Sequence, residues 1–114
     1  MTTQAVKYED GKLHLELVPP ETDIAIAKVL GLMNFDLKKY PPNNWRKGLQ
    51  YSKYYAALRR HLLAWWMGED IDPESGLPHL HHALCNLSFL SAQNDNPKKY
   101  KRFDDRVKLN DKRN

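Results

Sequence analysis

Four of the five histidines lie between positions 61 and 82, beside a loop rich in carboxylates. His79, His82 and Asn86 are spaced at i, i+3 and i+7, so on a helix they form one polar stripe. Two neutral imidazoles at this spacing can reach the same metal ion or the same anionic ligand. The loop before them supplies hard oxygen ligands suited to Mg²⁺ or Mn²⁺, namely Glu69, Asp70, Asp72 and Glu74.

The same histidines also have a simpler interpretation, as surface or helix-capping residues beside a solvated acidic loop. His81 fits that description. The spacing is not that of a structural zinc site, for which cysteine partners are missing. His61, which follows Arg60, is either a further ligand or a hydrogen-bonded core histidine. The residue pattern therefore leaves both ligand binding and simple packing open.

A basic block precedes the histidines. Seven Lys and Arg residues and no carboxylate occur in residues 37–60, whereas residues 61–96 contain no Lys or Arg. The guanidinium of Arg60 matches phosphate oxygens in a bidentate way, although it could equally pair with Glu69 or Asp72. Trp45 could stack on a base or anchor its loop against the helices. The two blocks either face one ligand of mixed charge or neutralise each other across the fold.

Helical periodicity and turn-forming residues predict three helices that position these groups. The first begins at Pro19-Pro20, with acidic residues in its first turn, and runs to about Met33. Ser52 is expected to cap the second, which ends at Gly68, and the third runs from about Pro78 to Ala92. Residues 38–48 combine proline, asparagine and glycine, which predicts a loop.

Apolar residues at helical spacing predict the core. The expected core residues are Ile24, Ala27, Val29, Leu30, Tyr55, Leu58, Leu62, Trp65 or Trp66, Leu80, Leu84, Leu87 and Leu90. In the third helix the leucines are expected to be buried opposite the histidines. Three short helices make a thin core, so we expect an all-α bundle of about three main helices with long loops, completed by dimerisation.

Length and composition exclude several classes of protein. With 114 residues, 41% hydrophobic and 28% charged, the chain suits one small folded domain. No apolar run approaches the roughly 20 residues of a membrane span, and the N-terminus lacks an apolar signal segment. The single cysteine, Cys85, forms no intrachain disulfide and is expected to pack in the core, which favours a cytoplasmic protein.

The net positive charge is confined to the end of the chain. Residues 97–114 contain eight basic and three acidic residues, so we expect a helical nucleotide-binding domain at 1–96 and a basic tail at 97–114. A basic tail of this kind is commonly solvated, which argues against general nucleic-acid binding.

Three segments resemble one protein family: KYEDGKLHLELVPPE, KKYPPNNWRKG and RRHLLAWWMGEDIDPESGLPHLHHALCN. The likeness covers roughly residues 6–90 and is to the dATP/dGTP diphosphohydrolase N-terminal-type domain family of bacteriophages and prophages. Asp104-Asp105-Arg106 also resembles an ending common in these proteins. The resemblance implies an all-α fold similar to the MazG-like nucleotide pyrophosphohydrolases. It further implies Mg²⁺-dependent cleavage of a nucleoside triphosphate to monophosphate and pyrophosphate in the host cytoplasm.

On this interpretation the candidate residues have three roles. The expected metal ligands are His61, Glu69, Asp70, Asp72, His79 and His82. The expected catalytic residues, which orient or deprotonate the attacking water, are Glu69, Glu74 and His79. The expected substrate-binding residues are Lys39, Tyr40, Asn44, Trp45, Arg46, Lys47, Arg60, Asn86 and Arg106.

The alternative function is a nucleotide-binding protein of a different class. Such a protein would sequester a nucleotide, for example a host defence signal, without hydrolysing it. In both cases the negatively charged, histidine-bearing hairpin and the positively charged, tryptophan-bearing turn are expected to converge on a single polyphosphate.

Overall fold

Four α-helices organise residues 3–109, which are the residues that this computed structural model describes. They are α1 (Pro20–Gly31), α2 (Tyr51–Trp66), α3 (His79–Asn94) and α4 (Pro97–Tyr100). Short 3₁₀ turns lie at Leu15–Leu17, Asn44–Lys47 and Lys101–Phe103, and one π-turn extends α1 at Leu32–Asp36. The all-α prediction is confirmed. Residues 110–114, the end of the predicted basic tail, lie outside the described range.

The start of α2 differs from the expected one. The helix begins at Tyr51, and its N-cap residue Gln50 makes no side-chain capping bond. Ser52 is therefore inside the first turn and does not cap it. Instead the carboxylate of Asp105 accepts hydrogen bonds from the Ser52 amide, at 2.9 Å, and from the Ser52 hydroxyl. These bonds lower the pKa of Asp105 and satisfy a free amide of the first turn.

The predicted orientation of α3 is wrong. His79 and His82 are buried, with 5% and 4% of their surface exposed, whereas Leu80 and Leu87 are 38% and 47% exposed. The side of α3 that carries the histidines packs against α2 and α1. Burial of these imidazoles is possible because each has hydrogen-bond partners, which removes most of the desolvation penalty.

The core is small and partly aromatic. Its buried apolar residues are Ala25, Val29, Tyr51, Tyr54, Ala83, Cys85 and Tyr100. Of the expected core, the exposed residues are Ile24, Ala27, Tyr55, Leu62, Trp65, Trp66, Leu80 and Leu87, so the prediction is wrong at these positions. Burial raises the pKa of the Cys85 thiol to about 12, as expected of a packing residue. None of the helices in residues 3–109 is long and apolar enough to cross a membrane.

Residues that follow α3 hold the loop between α1 and α2 in place. The buried Tyr100 donates its hydroxyl hydrogen to the carbonyl oxygen of Arg46 at 2.8 Å. The ring of Phe103 lies directly against the α-carbon of Gly48. From α3 itself, the fully buried Gln93 accepts the Leu49 amide at 3.0 Å through Oε1. The first part of the basic stretch thus packs on the helices.

Candidate functional site

A cleft of about 630 Å³ opens between the loop that follows α1 and one side of the α2–α3 pair. One end is aromatic and is lined by Trp45, Tyr54 and Phe89. The other end is cationic and is lined by Arg60, His61 and His82. The lining also includes polar side chains, which are Asn34, Lys39, Tyr40, Asn43, Asn44, Lys53 and Asn86. The basic, tryptophan-bearing loop and two of the histidines therefore meet at one cleft.

Trp45 holds its loop against α3. Its ring stacks on that of Phe89, with the centroids 5.4 Å apart and the planes 13° apart. The guanidinium carbon of Arg46 lies 4.5 Å from the Trp45 ring centroid. Because Trp45 already has these two ring partners, the structure favours the anchoring interpretation over stacking on a base.

His61, at the cationic end of the cleft, is the last member of a chain of hydrogen bonds that begins at Glu69. We call it the Glu69 chain. Glu69 Oε1 lies 2.7 Å from His79 Nε2, and His79 Nδ1 lies 2.9 Å from His61 Nδ1. An ionised carboxylate only accepts, so His79 donates through Nε2 and accepts at Nδ1. His61 then donates through Nδ1, which leaves an unprotonated Nε2 on a ring that lines the cleft.

A second chain supports His82, and we call it the Asp72 chain. The Ser75 hydroxyl donates to Asp72 Oδ2 at 2.8 Å, and its oxygen lies 2.6 Å from His82 Nε2. The same oxygen accepts the Leu77 amide at 3.2 Å. His82 therefore donates through Nε2 and keeps an unprotonated Nδ1. Each of the two histidines of the cleft is thus oriented by a carboxylate that lies behind it.

The electrostatics of the cleft keep both imidazoles neutral. The rings of His61 and His82 are stacked, with centroids 4.5 Å apart and planes 9° apart. Burial, and then the neighbouring histidines, lower the pKa of His61, and burial lowers that of His82. Burial works to raise the pKa of Asp72, but hydrogen bonds from Ser75 and Glu74 outweigh it and the pKa lies below its usual range. At neutral pH the site combines uncharged bases with ionised carboxylates.

Stability should therefore depend on pH in a defined direction. Since the pKa values of His61 and His82 are lowered in the folded state, the unfolded chain binds more protons below its histidine pKa of about 6.5. The free energy of unfolding should be highest above that pH and should fall as the pH drops through the folded values. Urea denaturation followed by circular dichroism, from about pH 8 to about pH 5, measures this. The fall should be smaller in His61→Gln and unchanged in His14→Gln, and a flat profile in the parent chain would contradict it.

The carboxylates predicted as metal ligands lie behind the histidines. Glu69 and Asp72 are engaged by His79 and by Ser75. Asp70 contributes its backbone carbonyl, which accepts the His79 amide at 2.9 Å. Among residues 3–109, no three His, Cys, Asp or Glu side chains are arranged to hold a metal ion. The donor set therefore does not fit a magnesium ion held by this chain alone.

Several predicted substrate-binding residues line the cleft and others do not. Those in the cleft are Lys39, Tyr40, Asn44, Trp45, Arg60 and Asn86, whereas Arg46, Lys47 and the predicted catalytic residue Glu74 are exposed outside its lining. Arg106 lines a separate groove at the N-terminal end of α2. There its guanidinium binds Asp104 in a bidentate way, with both N–O distances 2.8 Å.

Comparison with known proteins assigns the chain to a family. The family model described as dATP/dGTP diphosphohydrolase, N-terminal, matches residues 2–106. The chain belongs to the dATP/dGTP diphosphohydrolase N-terminal family. It is 34% identical over 85 residues to a protein of Salmonella phage PMBT28 named dATP/dGTP diphosphohydrolase. That match covers 75% of this chain but only 28% of the phage protein. No solved structure matches the chain.

In this member of the dATP/dGTP diphosphohydrolase N-terminal family, sequence reasoning missed several residues of the candidate site. Ser75 links Asp72 to His82, and Lys53, Tyr54 and Phe89 line the cleft. Lys53 was detectable as part of the basic block, about two helical turns before Arg60. Tyr54 and Phe89 carry no local signal, because only the packing of α2 on α3 places them at the aromatic end.

Proposed function

We propose that this chain binds a purine deoxynucleoside triphosphate in the cleft and hydrolyses it to the monophosphate and pyrophosphate. The observation that carries the proposal is the pairing of an aromatic end with a cationic, imidazole-bearing end in one cleft. The family name and the name of the phage relative supply the substrate class. The expected setting is the host cytoplasm, where such nucleotides are made.

The two ends of the cleft suit the two ends of the substrate. The nucleobase would lie near Tyr54 and Phe89, with asparagine amides available for its polar edge. The phosphates would lie toward Arg60, where the guanidinium can bind phosphate oxygens in a bidentate way. Tyr54 and His61 are seven residues apart on α2, about 10 Å along the helix axis. This length accommodates a deoxyribose and the first phosphates.

His61 is the proposed general base. Its Nε2 would accept a proton from water as the water oxygen attacks the α-phosphorus, and the bond to the pyrophosphate oxygen would break. The Glu69 chain would stabilise the imidazolium, because His79 can pass positive charge toward the Glu69 carboxylate. Arg60 would stabilise negative charge on the phosphate oxygens in the transition state.

No step in this mechanism uses a metal ion. Glu69, Asp72 and the histidines are bonded to one another, so they do not fit a protein-held Mg²⁺. We propose that Mg²⁺ or Mn²⁺ enters with the triphosphate as part of the substrate. Nucleotide binding measured with Mg²⁺ and with EDTA tests this separately from the chemistry.

A second candidate function is binding without hydrolysis. One observation favours it: the carboxylates lie behind the histidines and none of them lines the cleft. The chain spans about a quarter of the length of the phage relative. The same cleft would then sequester an intact nucleotide.

One experiment separates the two candidates. The protein is incubated with Mg²⁺ and a panel of nucleoside triphosphates, and the nucleotides are separated by chromatography before and after the protein is denatured. Monophosphate together with pyrophosphate is expected for hydrolysis. Recovery of intact nucleotide only after denaturation supports sequestration. Failure to retain or to cleave any purine nucleotide contradicts both functions.

A further inference from the structure

The outer side of the α2–α3 pair carries large apolar side chains. We call it the leucine face and define it by Tyr55, Leu62 and Trp66 on α2 and Leu80, Leu84 and Leu87 on α3. These positions recur at helical spacing, so each set lies along one side of its helix. Tyr55 is 52% exposed, Trp66 is 78% exposed and Leu87 is 47% exposed. The leucine face points away from the cleft, whose lining on α2 includes Ala57, Arg60 and His61.

The leucine face is contiguous with a groove. The groove has a volume of about 720 Å³ and is lined by Tyr51, Tyr55, Leu87 and Leu90. The two aromatic rings and four leucines of the face therefore adjoin further apolar side chains of the same groove. A contiguous exposed apolar patch of this kind can mark a site of protein–protein contact.

The charges at the two ends of the face are complementary. The loop beside Trp66, residues 67–78, has four acidic residues and no basic one. The segment beside Tyr55, residues 97–109, has six basic and two acidic residues, and its Arg106 lines the same groove as Tyr55. Two copies related by a two-fold axis across the face would run antiparallel, so the acidic end of each would meet the basic end of the other.

We propose that the leucine face is the interface between two antiparallel copies of this chain. The four helices, α2 and α3 from each copy, form a bundle, and the two clefts open on opposite outer sides. This arrangement buries the leucines that a single copy leaves exposed. The proposal is independent of the nucleotide chemistry, because no residue of the leucine face lines the cleft.

Sedimentation of the full chain over a range of concentrations tests the interface. A particle of twice the 13.4 kDa chain mass is expected. Leu87→Ser and Leu62→Ser should each weaken the dimer, raising its dissociation constant about tenfold or more. The matched control is Leu63→Ser, since Leu63 is also exposed but lies on another side of α2. Helix content from circular dichroism verifies that each variant folds. A 13.4 kDa particle at every concentration, or a dimer equally weakened by Leu63→Ser, would overturn the proposal.

Charge substitution tests the antiparallel arrangement. The pair Asp70→Lys and Glu74→Lys leaves residues 67–78 with two acidic and two basic residues, so it removes the net negative charge of that end and should weaken the dimer. The pair Arg102→Glu and Lys108→Glu leaves residues 97–109 with four basic and four acidic residues, so it removes the net positive charge of the other end and should weaken the dimer as well. If neither pair weakens the dimer, the copies do not pair in this way.

Discussion

His61→Asn should reduce hydrolysis of a purine deoxynucleoside triphosphate by about 100-fold or more, the usual contribution of a positioned general base. The amide of asparagine can replace the Nδ1–H donor of the imidazole but cannot accept a proton near neutral pH. Nucleotide binding should change much less than turnover, because Arg60 and the lysines of the cleft remain. Turnover measured as released pyrophosphate, with binding measured by calorimetry, separates the two effects.

The matched control is His81→Asn, on the same helix as the buried histidines but outside both hydrogen-bonded chains. It should keep the parent rate. Glu69→Gln removes the carboxylate that stabilises the His61 imidazolium through His79, so the acid limb of the pH–rate profile should move to lower pH. If His61→Asn keeps the parent turnover rate, His61 is not the general base, irrespective of the results for the other variants.

Gly48→Ala should be the most destabilising single-methyl substitution in the loop that borders the cleft. Gly48 has φ +92° and ψ 148°, a region that residues with a β-carbon rarely adopt. An added β-carbon would also overlap the ring of Phe103. Backbone strain and overpacking each cost about 1–3 kcal/mol, so a loss of about 2–6 kcal/mol is expected. Urea denaturation of parent and variant measures it.

Two other glycines separate these contributions. Gly68 has φ +98°, but a β-carbon added there would meet no atom within 4 Å, so Gly68→Ala should show backbone strain alone. Gly31 does not have a positive φ, and a β-carbon added there would meet no atom within 4 Å. Gly31→Ala in α1 should therefore leave the free energy of unfolding unchanged or raise it slightly. Equal losses for Gly48→Ala and Gly68→Ala would show that the Phe103 contact does not constrain the loop.

The helices were predictable because their signals are local. Pro20 with its acidic neighbours begins α1, and Gly68 follows the end of α2 closely. The prediction that the acidic, histidine-bearing segment and the basic loop converge rested on charge pattern. His82 of that segment lines the cleft beside the loop, whereas its carboxylates do not. The helix signals depend on residues within one or two turns of each other.

The predictions that are wrong concern features that depend on contacts between residues far apart in the sequence. Because leucine is more hydrophobic than histidine, the sequence predicts that the leucine side of α3 faces the core. Hydrogen bonds with Glu69 and Ser75 allow the histidine side to be buried instead. The cap of α2 comes from Asp105, 53 residues after Ser52, and no local pattern reveals it. Glu69, which is predicted as a metal ligand, also hydrogen-bonds His79, a contact that the sequence pattern does not reveal.

The loop bordering the cleft is fastened by its backbone at three successive places. Tyr100 binds the carbonyl of Arg46, Phe103 rests on the α-carbon of Gly48, and Gln93 binds the amide of Leu49. These attachments do not depend on the side chains of Arg46 and Leu49. Substitutions at these two positions can therefore change the chemistry of the loop at the edge of the cleft while the loop backbone stays in place. Evolution or protein engineering could thereby retune ligand preference without rebuilding the scaffold.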